Sequence, residues 1–268
     1  MILSYQSIFM KLRPHQQRTV DAMAIHSHGQ SYQPTGSGKT ICMIADTLRV
    51  FEGAARQTVV VVAPRIGLAL QLCSEFLEHI SNVAVMHVHS GETHHFSTTK
   101  PSEIQFWDSI VSGAFNPDAP KHKLIFTTYN SLNRIQEAGI SVDTIYFDEA
   151  HHSVKRSFFE PTKFFSKNAK RCYFFTATPK YSHAASKPGM NWMDVYGPVI
   201  SKVSAPELIE GGFIIPPMVN VNSINTFRDK EFAAERDCMT LLDTILNEDN
   251  MQKVLVAAPN TKVLIRML

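Results

Sequence analysis

The chain has 268 residues with 44% hydrophobic content, enough for one well-packed α/β domain and part of a second. The chain has 26 Lys and Arg and 24 Asp and Glu, so its net charge does not indicate whether it binds a polyanion. The four cysteines form no CxxC pair, there is no signal-peptide pattern, and no apolar run approaches the roughly 18–20 residues of a membrane span, so we expect a soluble, intracellular protein of the cytoplasm or nucleus/nucleoid.

Short apolar, β-branched runs alternate with helical patterns as far as Pro179. The predicted helices are Pro14–His28, Lys39–Glu52, Gly67–Ile80, Glu103–Gly113 and Ser131–Ala138. The predicted strands are Thr58–Ala63, Val83–His89, Lys123–Thr127, Val142–Phe147, Arg171–Thr176 and, much later, Lys253–Ala257. Near-continuous Val, Ile and Phe runs suit strands that are covered on both faces. The alternation therefore predicts an α/β fold with a parallel sheet and helices on both faces.

Beyond Pro179 the alternation stops. Residues Tyr181–Pro217 are predicted to form loops with one short helix near Pro206–Glu210, and Glu231–Glu248 reads as a helix that leads into the last strand. We expect a first domain over residues 1–218, a connector over 219–250 and the incomplete beginning of a second domain over 251–268.

The stretch QPTGSGKT, residues 33–40, has the chemistry of a phosphate-binding loop. Small residues allow a tight turn whose backbone N–H groups face a phosphate, and the helix that follows adds its positive end. Lys39 can reach the β- and γ-phosphates of ATP, and the Thr40 hydroxyl can bind Mg²⁺. One departure is Gln33, which stands where the general pattern has glycine. The turn itself consists of Thr35, Gly36, Ser37 and Gly38.

Two adjacent acids follow the predicted strand that ends at Phe147. Asp148 at the strand end can hold Mg²⁺, in part through water. Glu149 can polarise the water that attacks the γ-phosphate. Such a pair alone is weak evidence, but a phosphate loop upstream makes it the second half of a nucleotide site. His151 then becomes a candidate for coupling nucleotide state to the rest of the protein, against the alternative of a satisfied structural histidine.

Six segments carry a resemblance to superfamily 2 helicases and translocases. In chain order they read LRPHQ, PTGSGKT, APRIGLALQ, TTYNSL, DEAHH and TATP. The DEAHH box, and VYGPVISKVSAPELIEGGFIIPP after TATP, resemble the branch that contains restriction-enzyme motor subunits and XPB-like DNA helicases. The resemblance implies a P-loop NTPase with a RecA-like sheet, ATP and Mg²⁺ as cofactors, and a nucleic-acid partner, DNA more than RNA, bound mainly through its phosphate backbone.

The resemblance also implies a role for each matching residue. Adenine would be contacted by Gln16 and Arg13, phosphates by Gly36, Gly38 and Lys39, and Mg²⁺ by Thr40 and Asp148, with Glu149 activating water. His151, Thr176 and Thr178 would couple hydrolysis to movement. The residues that match motifs lining the nucleic-acid path are Pro64, Arg65, Thr128 and Tyr129.

The sequence also departs from that family at its end. LVAAPN resembles the first strand of the second RecA-like domain, but the usual arginine-finger segment does not follow. The chain is then a fragment, or works with a chain that carries the second domain, or is a non-motor ATP-binding regulatory module. A P-loop kinase of a small metabolite is a weaker alternative, because the DEAHH and TATP segments have no role there.

Two further clusters have open interpretations. Residues 151–190 contain eight Lys or Arg against a single acid, Glu160, which fits either a solvated face or a phosphate-backbone contact zone. Four histidines, His87, His89, His94 and His95, could bind a transition metal, although their strand-like pattern favours a structural role.

Overall fold

The computed structural model describes residues 10–53, 56–114, 120–184, 186–216, 236–240 and 242. The chain divides into two compact units, Met1–Ile215 and Pro216–Leu268. In the second unit, residues 236–240 are helical, within the helix predicted over Glu231–Glu248. The predicted strand Lys253–Ala257 lies outside the described residues.

Eight parallel strands form a single sheet in the first unit, in the order β4-β3-β5-β2-β6-β7-β1-β8. The strands are β1 (His28–Tyr32), β2 (Thr58–Ala63), β3 (Val83–Val88), β4 (Phe96–Ser97), β5 (His122–Thr128), β6 (Thr144–Phe147), β7 (Arg171–Thr176) and β8 (Val199–Lys202).

Helices connect the strands. They are α1 (Pro14–Ile25), α2 (Lys39–Gly53), α3 (Ile66–His79), α4 (Pro101–Ser109), α5 (Leu132–Ala138), α6 (Arg156–Asn168), α7 (Met193–Tyr196) and α8 (Ala205–Glu210). A π-helical turn, Ile110–Ala114, continues α4, and a 3₁₀ turn, Ala150–His152, follows β6. Within the described part of the chain, no helix has the length and apolar character needed to cross a membrane.

The hydrophobic core has two layers, one on each face of the sheet. Alternation along β2 shows the division: Val60 and Val62 belong to the layer that contains α4, α5, α6 and α7, whereas Val59 and Val61 belong to the layer under α1, α2 and α3. All four valines are fully buried, as expected for a strand covered on both faces. The predicted fold, a parallel sheet with helices on both faces, is confirmed.

Some elements differ from the prediction. The first helix ends at Ile25 rather than His28, because the chain there enters the polar strand β1. Helix α6 was not predicted and contains Pro161 in its interior. Strands β4 and β8 and helix α7 were also missed, and all three are only two to four residues long.

The strand order determines where the candidate site lies. Strand β7 pairs with β1 on one side and with β6 on the other, so the loops that leave β1, β7 and β6 are neighbours. Because all three strands are parallel, their carboxyl ends lie at the same edge of the sheet, which is where ligands bind in folds of this kind.

Candidate nucleotide site

Two glycines with positive φ form the turn between β1 and α2. Gly36 has φ +82° and Gly38 has φ +83°, a backbone region that disfavours side chains. A Cβ on Gly38 would also collide with the side-chain amide nitrogen of Gln16. Helix α2 begins at Lys39, so its first N–H groups point into the same turn. The local conformation is therefore one that can receive a phosphate.

Gln33, the departure from the phosphate-loop pattern, is buried and holds the turn in place. Its Nε2 donates to Thr19 Oγ1 at 3.1 Å and Ser31 Oγ at 2.9 Å. Its Oε1 accepts a hydrogen bond from Ser37 Oγ at 3.1 Å. The side chain thus joins α1, β1 and the phosphate loop where a glycine could make none of these bonds.

Helix α1 contacts the same loop through two side chains. Gln16 Nε2 donates to the Ser37 carbonyl at 3.0 Å, and the His15 ring is hydrogen-bonded to that carbonyl at 2.9 Å. Gln16 Oε1 accepts from the Arg13 backbone N–H at 2.9 Å, which fixes the start of the helix. Each polar atom of the Gln16 amide keeps capacity for one more hydrogen bond.

The acidic pair lies directly after β6. The Asp148 N–H still donates to the Val62 carbonyl at 2.9 Å, and the Tyr129 hydroxyl donates to the Asp148 carbonyl at 2.9 Å. Burial raises the pKa of Asp148 to about 6, the negative charge of Glu149 adds to that rise, and the Lys39 ammonium opposes it. Asp148 is thus a half-buried carboxylate beside a second acid, and Lys39 offsets its charge only in part.

Glu149 connects the acidic strand end with the phosphate loop. Its Oε1 lies 3.7 Å from Lys39 Nζ, and its Oε2 lies 3.4 Å from His151 Nδ1. The backbone of Glu149 is in the left-handed region with φ 46°, an unfavourable conformation for a residue with a side chain. That conformation turns the Glu149 side chain away from the regular path of the strand, towards Lys39 and His151.

His151 reaches across to the loop after β7. Its Nδ1 is 3.0 Å from Thr176 Oγ1 and 3.4 Å from Thr178 Oγ1, and the Thr178 N–H donates to Thr176 Oγ1 at 3.1 Å. Burial lowers the pKa of His151, while Glu149 acts in the opposite direction. His151 Nδ1 therefore lies within 3.4 Å of Glu149 Oε2 as well as of the two threonine hydroxyls, which places polar contacts between the acidic pair and the TATP loop.

The residues predicted to line a nucleic-acid path differ in exposure. Arg65, just before α3, is exposed and Pro64 is partly exposed. Thr128 and Tyr129 are only 3% and 2% exposed, and the Tyr129 ring packs against Phe147. At these two positions only the backbone could meet a polynucleotide, and the Tyr129 side chain supports the acidic loop instead.

Five of the eight Lys and Arg residues in the basic stretch 151–190 fall into two groups. Arg171 forms a two-pronged ion pair with the fully buried Asp46, at 2.8 Å for each nitrogen, and Lys170 pairs with Asp143 at 2.6 Å. These two cations are structural. At the start and along the outer side of α6, Lys155, Arg156 and Lys167 are exposed.

The histidine cluster lies elsewhere, on β3 and the loop that follows it. His87 Nδ1 is hydrogen-bonded to His89 Nε2 at 3.0 Å, and the rings of His87 and His95 stack. Burial and the neighbouring His89 and His95 lower the pKa of His87 to about 4. Across the described residues, no three His, Cys, Asp or Glu side chains come together as a metal site would require.

Three residues at the site have contacts that the sequence analysis did not anticipate. Gln33 was read only as a departure from a pattern, His15 was not singled out beside Gln16, and Phe213 lay in a segment read as loop. Phe213 packs on His15 with ring centroids 5.3 Å apart. Phe213 lies in the segment after TATP that resembles the helicase branch, but the two glycines before it indicate only a turn.

The fold and this arrangement define a RecA-like ATP-binding domain of the helicase and translocase type, the N-terminal half of a superfamily 2 core. The chain belongs to the family described as the res subunit of type III restriction enzymes, whose sequence profile matches residues 9–181. No curated protein matches the chain.

Solved structures share the fold at low sequence identity. A nuclease-deletion mutant of the Type ISP restriction-modification enzyme LlaGI, in complex with a DNA substrate mimic, matches with a TM-score of 0.64 and 20% identity over 90% of this chain and 23% of that one. LlaBIII, an ATP-dependent Type ISP enzyme bound to DNA, matches with a TM-score of 0.64 and 19% identity over 76% of this chain and 16% of its own.

The Hef helicase domain of Pyrococcus furiosus gives a TM-score of 0.52 at 20% identity, over 75% of this chain and 41% of that one. The chain thus spans about a quarter or less of the two Type ISP chains.

Proposed function

We propose that this chain is the ATP-binding half of a motor that couples ATP hydrolysis to movement on DNA. The observation that carries the proposal is the 3.7 Å ion pair between Lys39 and Glu149, which brings the phosphate loop and the acidic strand end together. Two segments 108 residues apart in sequence thereby form one site with a basic and an acidic side.

The residues fit a magnesium–triphosphate ligand. Asp148 is a half-buried carboxylate next to a second one, and a divalent cation would offset the negative charge of the pair. The residues that would hold the metal are Asp148 and Thr40, with Lys39 and the backbone of 35–38 on the phosphates. A magnesium ion held there would supply positive charge to offset the negative charge that develops in phosphoryl transfer.

Glu149 is the general base in this proposal. In the structure its carboxylate is shared between Lys39 and His151, and a phosphate bound to Lys39 would release it to orient water. Gln16 and Arg13 contact the adenine, consistent with the remaining hydrogen-bonding capacity of the Gln16 amide.

The nucleotide state of the site is transmitted to the TATP loop by His151, through its contacts with Thr176 and Thr178. The threonine hydroxyls contact His151, and His151 in turn lies 3.4 Å from Glu149, so a change in the Glu149 contacts would alter the position of that loop. A second RecA-like domain, in a longer chain or a partner, would supply the arginine that completes such sites.

DNA is proposed as the track. Exposed Arg65 and the exposed cations at α6 suit the phosphate backbone, and backbone contact positions a strand without reading its sequence. The two Type ISP relatives are DNA-bound enzymes, which favours DNA over RNA by analogy.

The test is ATP turnover by this chain, alone and with single- or double-stranded DNA. Glu149→Gln should lower turnover by about 10²–10⁴-fold while ATP binding persists. Lys39→Ala should weaken ATP binding itself. Lys100→Ala, at a surface ion pair away from the site, is the matched control.

Unchanged turnover in Glu149→Gln would refute the assigned base. Tight ATP binding with no turnover under any DNA condition would favour the alternative, a non-motor ATP-binding regulatory module, or a fragment of a motor that lacks the second domain.

A further inference from the structure

A short segment after the last strand returns to the nucleotide site. Helix α8 is capped by Ser204, whose hydroxyl accepts from the Glu207 N–H at 3.2 Å. Gly211 and Gly212, the latter with φ +69°, reverse the chain, and the Phe213 N–H donates to the Leu208 carbonyl at 2.8 Å. The turn fixes where the Phe213 ring lies.

Two anchors hold this segment against α1. Glu207 pairs with Arg18 at 2.7 Å, and the Leu208 side chain is fully buried. The anchoring pair is exposed and contributes little energy alone, but the buried leucine gives α8 a fixed place on the domain.

Phe213 contacts the part of α1 that faces the phosphate loop. The Arg13 guanidinium carbon lies 5.1 Å from the centroid of the Phe213 ring, and the His15 ring packs on it as well. The next residue, Ile214, approaches so closely that a Cβ on Gly36 would meet its methyl group at 3.3 Å. The Phe213 ring therefore lies beside the start of α1, and the residue that follows it lies beside the phosphate loop.

We propose that Phe213 is a positioning residue for the nucleotide base. Its ring holds the Arg13 guanidinium flat, and the opposite face of that guanidinium provides the surface on which adenine stacks. A planar guanidinium stacks well on aromatic faces, and a long exposed arginine side chain loses less entropy on binding when it is already held. This assignment rests on the proposed function of the site as an ATP site.

The test compares two ligands of the intact 268-residue chain: ATP, and inorganic tripolyphosphate, which has no base. Phe213→Ala should weaken ATP binding about tenfold, equivalent to about 1.4 kcal/mol, and leave tripolyphosphate binding unchanged. Phe213→Tyr keeps the ring face and should restore ATP affinity to within about twofold of wild type. Ile215→Ala, two residues on and 89% exposed, is the control.

A double-mutant cycle with Arg13→Ala tests whether Phe213 affects ATP binding through Arg13. If Phe213 acts through Arg13, the double variant should bind ATP no more weakly than Arg13→Ala alone. Additive losses would overturn the proposal, as would equal weakening of ATP and tripolyphosphate, which indicates damage to the phosphate loop. Wild-type protein that binds neither ligand would refute the proposed function, and this assignment with it.

Discussion

Replacing Gln33 with alanine should destabilise the first unit and loosen the phosphate loop together. The side chain makes three hydrogen bonds of 2.9–3.1 Å, to Thr19, Ser31 and Ser37. At about 1 kcal/mol for each bond, the expected loss is roughly 3 kcal/mol. For a domain of this size that corresponds to a melting temperature lower by roughly 6–12 °C.

The substitution should also weaken ATP binding. The Ser37 hydroxyl donates its hydrogen bond to Gln33, so removal of the Gln33 side chain frees the loop to sample other conformations. A loop that must be ordered on binding lowers affinity, and we expect the ATP dissociation constant to rise about 3–30-fold.

Thermal unfolding and ATP titration of the same samples measure both effects. Gln33→Met keeps the side-chain volume but not the hydrogen bonds. It should lose as much stability as Gln33→Ala, apart from the additional cost of the cavity that alanine leaves. Gln71→Ala removes an exposed glutamine and should change stability by less than about 0.5 kcal/mol. The reasoning would be refuted by a Gln33→Gly variant whose melting temperature and ATP dissociation constant equal those of the wild type.

Asp148→Asn should stabilise the protein at pH 7.5 by up to about 3 kcal/mol, measured by chemical denaturation, while abolishing magnesium-dependent nucleotide binding. Because the folded-state pKa of Asp148, about 6, lies above the ordinary value, the folded state binds the extra proton between about pH 4 and 6. Wild-type stability should thus fall as pH rises through that window, a slope that the asparagine variant reduces, and Mg–ATP affinity should fall as pH drops below about 6. Arg171→Ala leaves Asp46 short of its two-pronged partner and should cost about 3–5 kcal/mol in unfolding free energy; a loss below 1 kcal/mol would contradict a structural ion pair. Three cations at α6 are exposed: Lys155, Arg156 and Lys167. Replacing all three with alanine should make the slope of log K for DNA binding against log salt concentration shallower by about 2–3, without changing the melting temperature. An unchanged slope would mean that the DNA binds elsewhere.

The strands with continuous apolar side chains were predictable because their pattern reports burial on both faces. The bounds of β2 and β7 match the prediction to the residue. Strand β1 is polar, so only its end, the SYQ that precedes the phosphate loop, looks strand-like in the sequence: the Gln30 amide is buried and donates to the Met190 and Gly197 carbonyls, partners far away in sequence. Only tertiary contacts make such a strand favourable, and a local pattern cannot contain them.

Helix α6 was missed for a different reason. Pro161 removes a backbone donor, so a sequence interpretation ends a helix there. In the fold, Phe159 and Phe165 bury their rings on either side of that proline, and packing outweighs the local cost.

For the candidate site, motif chemistry predicted the residues of the phosphate loop and the acidic strand end, which the structure brings together, but not the residues that support them. Lys39, Asp148, Glu149 and His151 were named from strand-end position and residue type. Gln33 was seen only as an exception, because its role depends on Thr19 and Ser31, which belong to other elements.

The two outermost strands of the sheet have a consequence for handling the protein. Strand β4 has two residues, and β8 has four with a register irregularity beside β1. Long, regular strand borders recruit strands from other copies and seed aggregates. Borders this short and uneven present a poor template, so concentrated preparations of the domain should resist ordered self-association through the ends of the sheet.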